Sequence, residues 1–178
     1  VQSSKFPDGS CGNGSAMRVA PLGAFFAGDP GRAAEEAAKS AEVTHSHPQG
    51  IAGAIAVAIA AEMLVANAQL DLEVLIGSIA PGGVRSGIES AIELRGCAPK
   101  LAASRLGTGL PPTTFNTVPW CLWVVDNYGH DFEDALWVTL SGAGDRDTTC
   151  AIVAGILGGR LQPPAAWLKE TEALPRLA

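Results

Sequence analysis

Residues 51–68 read IAGAIAVAIAAEMLVANA, with Glu62 as the only charge. From Pro48 to Ala66 this segment is apolar almost all round, the pattern of a central helix packed on several sides, and its Gly and Ala residues allow close approach of neighbours. It meets Glu62 after eleven residues and is rich in Ala and Gly rather than Leu. We therefore read it as a core axis and not as a membrane span, which needs ~20 apolar residues. Outward from it, alternating strand patterns are scarce and Ala-rich stretches with helical spacing recur, so the expected fold is all-α.

The preceding stretch, GDPGRAAEEAAKSAEVTH, starts an exposed helix. Asp29 is placed to cap it, Pro30 takes the first helical position, and Glu35 and Glu36 lie in the early turns. Further helices are expected at about 14–27, 71–80, 84–95, 99–105, 117–128, 131–140, 146–159 and 164–172, separated by the breakers PGG, RGCAP and GTGLPPTT. The 178 residues fit a single domain, 1–178. Hydrophobic residues are 47% and charged residues 17% of the chain, which excludes extended disorder. A net charge of −6 supplies no basic stripe, so a nucleic-acid platform is a poor fit and any anionic ligand must be held locally. Cys11, Cys97, Cys121 and Cys150 form no C-x-x-C pair. With no signal peptide at the start, reduced thiols in a cytoplasmic protein are the expectation.

Three segments could carry chemistry. In GDRDTT, side chains two apart on a regular helix point ~200° from each other, so Asp145 and Asp147 can share a ligand only where the chain is still turning into the helix. There, Asp147 and Thr148 can aim oxygens at one point, as a hard cation such as Mg²⁺ requires. Equally, Asp145 can be an ordinary N-cap and Asp147 a first-turn acid with no metal. An EF-hand is excluded, because its spaced acids, central Gly and closing Glu are absent.

Near the start, FPDGSCGNGSAMRVAP sets Gly9, Gly12 and Gly14 around Ser10 and Asn13 before a helix. Glycine permits close backbone approach and helix N-termini attract phosphate, so this reads as an anion cradle or as a plain glycine-rich turn. It is neither a P-loop nor a Rossmann turn. The third segment, THSHPQGIAG, puts His45 and His47 before the central helix. No neighbouring Cys or carboxylate completes a zinc set. Thr44 or Ser46 is expected to cap the helix while one imidazole faces a cleft, either to bond a ligand or as a structural group.

In order, GSCGNGSAMRVAPLG, VTHSHPQGIAGAIAVA, NTVPWCLW and DFEDALWVTLSGAGDRDTTCAIVAGILGG resemble the ADP-ribosylglycohydrolase family, of the dinitrogenase-reductase-activating glycohydrolase type, from about Phe6 to Arg160. The resemblance implies a compact all-α fold whose cleft holds two Mg²⁺ ions, with Mn²⁺ also possible. It implies an enzyme that hydrolyses the bond between the anomeric carbon of ADP-ribose and an acceptor such as a protein side chain. Asp145, Asp147 and Thr148 match the C-terminal metal ligands, with the acid pair also near the attacking water. Gly9, Ser10, Cys11, Gly12 and Asn13 match the loop that holds diphosphate and ribose. Phe6 lies where an aromatic packs on the ligand, and His45 matches the histidine that faces ADP-ribose.

The family also carries a Thr-Asp-Asp cluster and a Gly-Asp segment in an N-terminal portion of ~100 residues, and nothing here corresponds to them. The chain opens on Val1 and enters the glycine-rich motif at once. We therefore expect the C-terminal part of such a domain without the family's N-terminal helices: a truncated product, or a naturally split or short homologue. A missing segment or second chain would then complete the metal site and cover the central helices. Alternatives to the hydrolase are a non-catalytic ADP-ribose or nucleotide-binding module and a structural protein on the same scaffold.

Overall fold

The computed structural model describes residues 7–67 and 69–172. Phe6, expected to pack on a ligand, lies outside the described residues. The helices run α1 Gly14–Met17, α2 Ala20–Phe25, α3 Pro30–Glu42, α4 Pro48–Asn67, α5 Leu72–Leu75, α6 Gly83–Glu93, α7 Pro99–Leu106, α8 Val118–Tyr128, α9 Phe132–Ser141, α10 Arg146–Leu157 and α11 Ala165–Glu170. Short 3₁₀ turns occupy Ile76–Ser78 and Thr114–Asn116. Among the described residues there is no strand, only a single antiparallel bridge between Gly12 and Thr113. The fold is all-α.

Local chemistry explains most of the boundaries. Asp29 caps α3 by accepting from the Arg32 N–H at 2.9 Å, and Pro30 begins the helix. Asp71 and Asp131 cap α5 and α9 in the same way. The helix expected over 14–27 breaks between Met17 and Ala20. Pro21 has no N–H to give the Met17 carbonyl and its ring crowds that carbonyl, so the chain restarts as α2. The segment expected over 71–80 shortens to α5 and a 3₁₀ turn as it approaches Pro81, whose ring disfavours helical backbone in the residue before it.

Every residue of α4 from Ala56 to Leu64 is buried. Nine consecutive residues cover more than two turns and hence every direction around the axis. The sheath comes from α1, α2, α3, α6, α8 and α10, all of which contact α4. By length and composition alone α4 could cross a bilayer, but 72% of its most apolar window lies inside the molecule, so packing accounts for its apolarity. Its faces are covered by the chain's own helices rather than left bare. The second inner helix is α8, buried from Val118 to Val125, with Trp120 and Trp123 stacked at 5.3 Å between ring centroids.

Two features of α4 are specific. Glu62 is 2% exposed, and its Oε1 accepts the Gly28 N–H at 2.8 Å, so the one charge in the apolar run holds the α2–α3 turn. At Gly23 a β-carbon would stand 2.0 Å from the Ala58 carbonyl oxygen, which is backbone and cannot swing away. Only glycine lets α2 lie this close to α4. Gly23→Ala is therefore expected to lower stability by about 1–3 kcal/mol in urea denaturation with an unchanged m-value. Gly31→Ala, where the nearest atom would be an ordinary 3.6 Å away, should leave it equal or slightly higher.

Candidate functional site

The N-terminal end of α4, the loop before α1, the loop before α8 and the turn into α10 meet at one end of the bundle. Asn13 joins them. It is buried, and its Nδ2 donates to Asp145 Oδ2 at 2.7 Å and to Thr117 Oγ1 at 3.1 Å, spanning 132 and 104 residues of sequence. Thr117 Oγ1 in turn donates to the Thr113 carbonyl at 2.7 Å. The backbones are tied as well: the Asn13 N–H donates to the Pro112 carbonyl at 3.1 Å and the Thr114 N–H to the Cys11 carbonyl at 3.0 Å.

The turn carrying the acids is held from behind. Ala143 and Gly144 both have positive φ, 59° and 71°, and the Asp145 N–H donates to the Thr108 carbonyl at 2.9 Å. A β-carbon on Gly144 would fall 2.2 Å from that carbonyl oxygen. Asp145 occupies the N-cap position of α10, yet its carboxylate makes no cap bond of normal geometry and instead takes the Asn13 amide. Asp145 thus keeps the N-cap position while its side chain is held by a donor from across the fold. Because α10 begins only at Arg146, Asp147 and Thr148 lie in the first turn of the helix, close to the Asp145 carboxylate. Partial burial works against ionisation of Asp145, but the hydrogen bond from the Asn13 amide, with Thr148 beside the carboxylate, outweighs it and holds the carboxyl below its ordinary range. Asp147 is exposed and Thr148 is 7% exposed.

Behind this turn the thiols are quiet. Burial, then the Asp147 carboxylate, pushes the Cys150 thiol up, and burial does the same to Cys121, so neither is a ready nucleophile. Cys11, Cys97, Cys121 and Cys150 are all free.

The glycine-rich loop differs from an open cradle. A β-carbon on Gly9 would strike Ser46 Oγ at 2.3 Å and the His47 N at 2.5 Å, so the space glycine leaves there is filled by the loop between α3 and α4. Gly12 and Gly14 give room to the His45 ring, the Gly12 N–H donates to Ser10 Oγ at 3.2 Å, and the helix that follows is four residues long. Ser10, Cys11 and Gly12 remain half-buried along the rim. The expected cap of α4 by Thr44 or Ser46 is not formed: the His47 ring Nδ1 accepts the Gln49 N–H at 3.1 Å, while Thr44 turns to His45 at 2.7 Å. His45 thus lies against the site and His47 serves the helix start.

The candidate residues Gly9, Ser10, Cys11, Gly12, Asn13, His45, Asp145, Asp147 and Thr148 are therefore brought to one end of the molecule. Sequence reasoning missed Thr108 and Thr117, and gave Thr44 the role of a helix cap rather than a partner of His45. GTGLPPTT is more than a breaker: its three Thr and two Gly beside Pro-Pro are turn-forming and hydrogen-bonding residues at once. As a metal site the donor set is incomplete. Two carboxylates and a hydroxyl are the hard oxygens that Mg²⁺ takes, but among the described residues no three His, Cys, Asp or Glu side chains gather around one point. The residues fit one wall of a six-coordinate site, with water or other oxygens left to complete it.

The all-α scaffold thus ties the acid turn at the start of α10 to the glycine loop, against which the His45 ring lies. The sequence matches the ADP-ribosylglycohydrolase family over residues 2–178, and the chain belongs to that family. The chain is also similar to an uncharacterized protein of Archaeoglobus fulgidus, 31% identical over 175 residues, which covers 93% of this chain and 56% of the relative. The chain thus spans little more than half the length of that relative.

Asn13→Asp tests the central contact. It replaces the donor with a second carboxylate against Asp145, and stability at pH 7 should fall by about 2–3 kcal/mol. Mutual repulsion raises a carboxyl pKa in the folded state above its unfolded value, so the folded form binds more protons and the loss should shrink as pH falls toward 4. Urea midpoints across that range would measure it; a loss independent of pH would mean that the two groups do not face each other.

Proposed function

We propose that this chain carries the C-terminal half of the active cleft of an ADP-ribosyl-acceptor hydrolase. The observation that supports it most is the Asn13–Asp145 contact, which joins the glycine loop to the acid turn, with Asp147 and Thr148 in the first turn of α10 beside it. In this reading ADP-ribose lies along Ser10 to Asn13 with His45 beside it. Asp145, held by Asn13, is the fixed anion that orients the cleft. Asp147, exposed and free to move, takes the proton from the water that attacks the anomeric carbon. The bond to the acceptor breaks as the new C–O bond forms, and the acceptor leaves with a proton. Held by Asp145, Asp147 and Thr148, Mg²⁺ or Mn²⁺ would polarise that water and the ribose hydroxyls and offset the carboxylate charges.

The charge balance makes the metal dependence testable. An anionic diphosphate approaching Asp145 and Asp147 in a chain of net charge −6 is repelled unless a cation intervenes. Calorimetric titration with ADP-ribose should show binding in Mg²⁺ that is lost in chelator. Asp147→Ala should weaken the Mg²⁺-dependent binding by about 10- to 100-fold with an unchanged helical circular-dichroism spectrum, since the residue is exposed. In the complete enzyme the same change should abolish turnover of ADP-ribosylated arginine. Turnover that persists in that variant would remove Asp147 from the mechanism.

A second reading has its own support. With no three-residue acid, His or Cys cluster among the described residues, this chain could act as an ADP-ribose-binding module without catalysis. Binding that ignores chelator would favour it. Absence of binding in either condition would overturn both readings for this chain. We place the protein in the cytoplasm, where its four cysteines would stay reduced.

A further inference from the structure

We propose that Arg18 and Thr44 form a relay that holds His45 as the neutral tautomer with its proton on Nε2, a fixed donor for a ligand oxygen over Gly12 and Gly14. That the ligand is ADP-ribose rests on the function proposed above; the relay itself rests on geometry alone.

The Arg18 guanidinium is anchored by three segments. Its Nη2 donates to the Ser40 carbonyl on α3 at 2.9 Å and to Thr44 Oγ1 at 2.9 Å, and its Nη1 reaches the Gly14 carbonyl at 3.5 Å. A guanidinium can only donate, so one lone pair of Thr44 Oγ1 is taken and the hydroxyl is polarised toward giving up its own hydrogen. His45 Nδ1 stands 2.7 Å from that oxygen. The ring nitrogen accepts, and in a neutral imidazole the proton is then on Nε2. Burial, followed by the positive charge of Arg18, holds the His45 pKa below its ordinary value, which favours the neutral ring that this arrangement needs.

Nε2 lies along the glycine loop. A β-carbon built on Gly12 or Gly14 would come within 3.3 Å and 3.2 Å of it, so both glycines leave the proton-bearing edge uncovered. The Nδ1 contact with Thr44 is the one ring hydrogen bond of His45 among the described residues. Nε2–H is therefore available to a ligand oxygen, and its direction is set by residues that never touch that ligand. Arg18 and Thr44 are positioning residues.

The test is a ¹⁵N–¹H spectrum of the histidine rings at a pH where imidazole is neutral, with a His45→Asn variant to assign the signals, read beside ADP-ribose titration in Mg²⁺. Wild type should show His45 protonated on Nε2. Thr44→Val, which keeps the shape and removes the hydroxyl, should give a mixture of tautomers and about a tenfold weaker affinity, and Thr44→Ser should restore both. A wild-type ring protonated on Nδ1, or a Thr44→Val spectrum identical to wild type, would overturn the relay. If wild type shows the expected tautomer but takes up no ADP-ribose, the relay holds and the assignment of the ligand fails.

Discussion

A helix that is apolar on every face must be surrounded, and that requirement on α4 arranges the rest of the molecule. Water cannot be left against any side of Ala56–Leu64, so α1, α2, α3, α6, α8 and α10 all pack on it. Packing partners from both ends of the chain are thereby forced side by side. The loop before α1 and the turn into α10 are distant in sequence, but both helices rest on α4, so their N-terminal ends are delivered to the same place. The small residues of α4 keep the neighbours close: at Gly53 a β-carbon would come 2.5 Å from the Thr114 side chain, so the loop before α8 sits directly on the axis.

Once the helices are delivered, a few buried hydrogen bonds set the detail. Asn13 is 7% exposed, so its amide must find partners within the fold, and it finds Asp145 and Thr117. A bond to a carboxylate is charge-assisted and stronger than one to a neutral group, which is why Asp145 turns away from its own helix start. The acid turn then presents Asp147 and Thr148 rather than a closed cap. Order in the site follows from satisfying polar groups that packing has buried.

The helices were legible because their signals are local. Asp29 with Pro30, Asp71 and Asp131 announce helix starts through side chains that bond within one turn, and the run from Ile51 announces a core helix by composition. The acid turn was legible for a similar reason: two acids two apart point away from each other on a regular helix, and α10 begins only after Asp145. What could not be read depends on partners remote in sequence. Nothing near Gly9 says that its missing side chain makes room for Ser46 and His47 rather than for a ligand. Nothing near Thr44 says that a guanidinium from α1's end will take its oxygen. Pro21 did carry a local signal, a helix break, and the run of Ala and Gly around it obscured that signal.

The charge pattern of the site links these points. Asp145 and Asp147 share one end of the bundle with His45, whose pKa burial and Arg18 hold below its ordinary value, in a chain of net charge −6. Had the cleft relied on lysine or arginine to hold an anionic ligand, those cations would lie beside Asp145 and Asp147 and be neutralised by them as ion pairs. A neutral donor such as His45 avoids that competition, because it can bond a ligand oxygen without being drawn to the carboxylates. Arg18 contributes its charge at one remove, through its hydrogen bond to Thr44 beside His45. In the function proposed above, acidic and donor groups would then coexist at one end of the bundle, the carboxylates meeting a cation and the histidine meeting a ligand oxygen that the cation does not take.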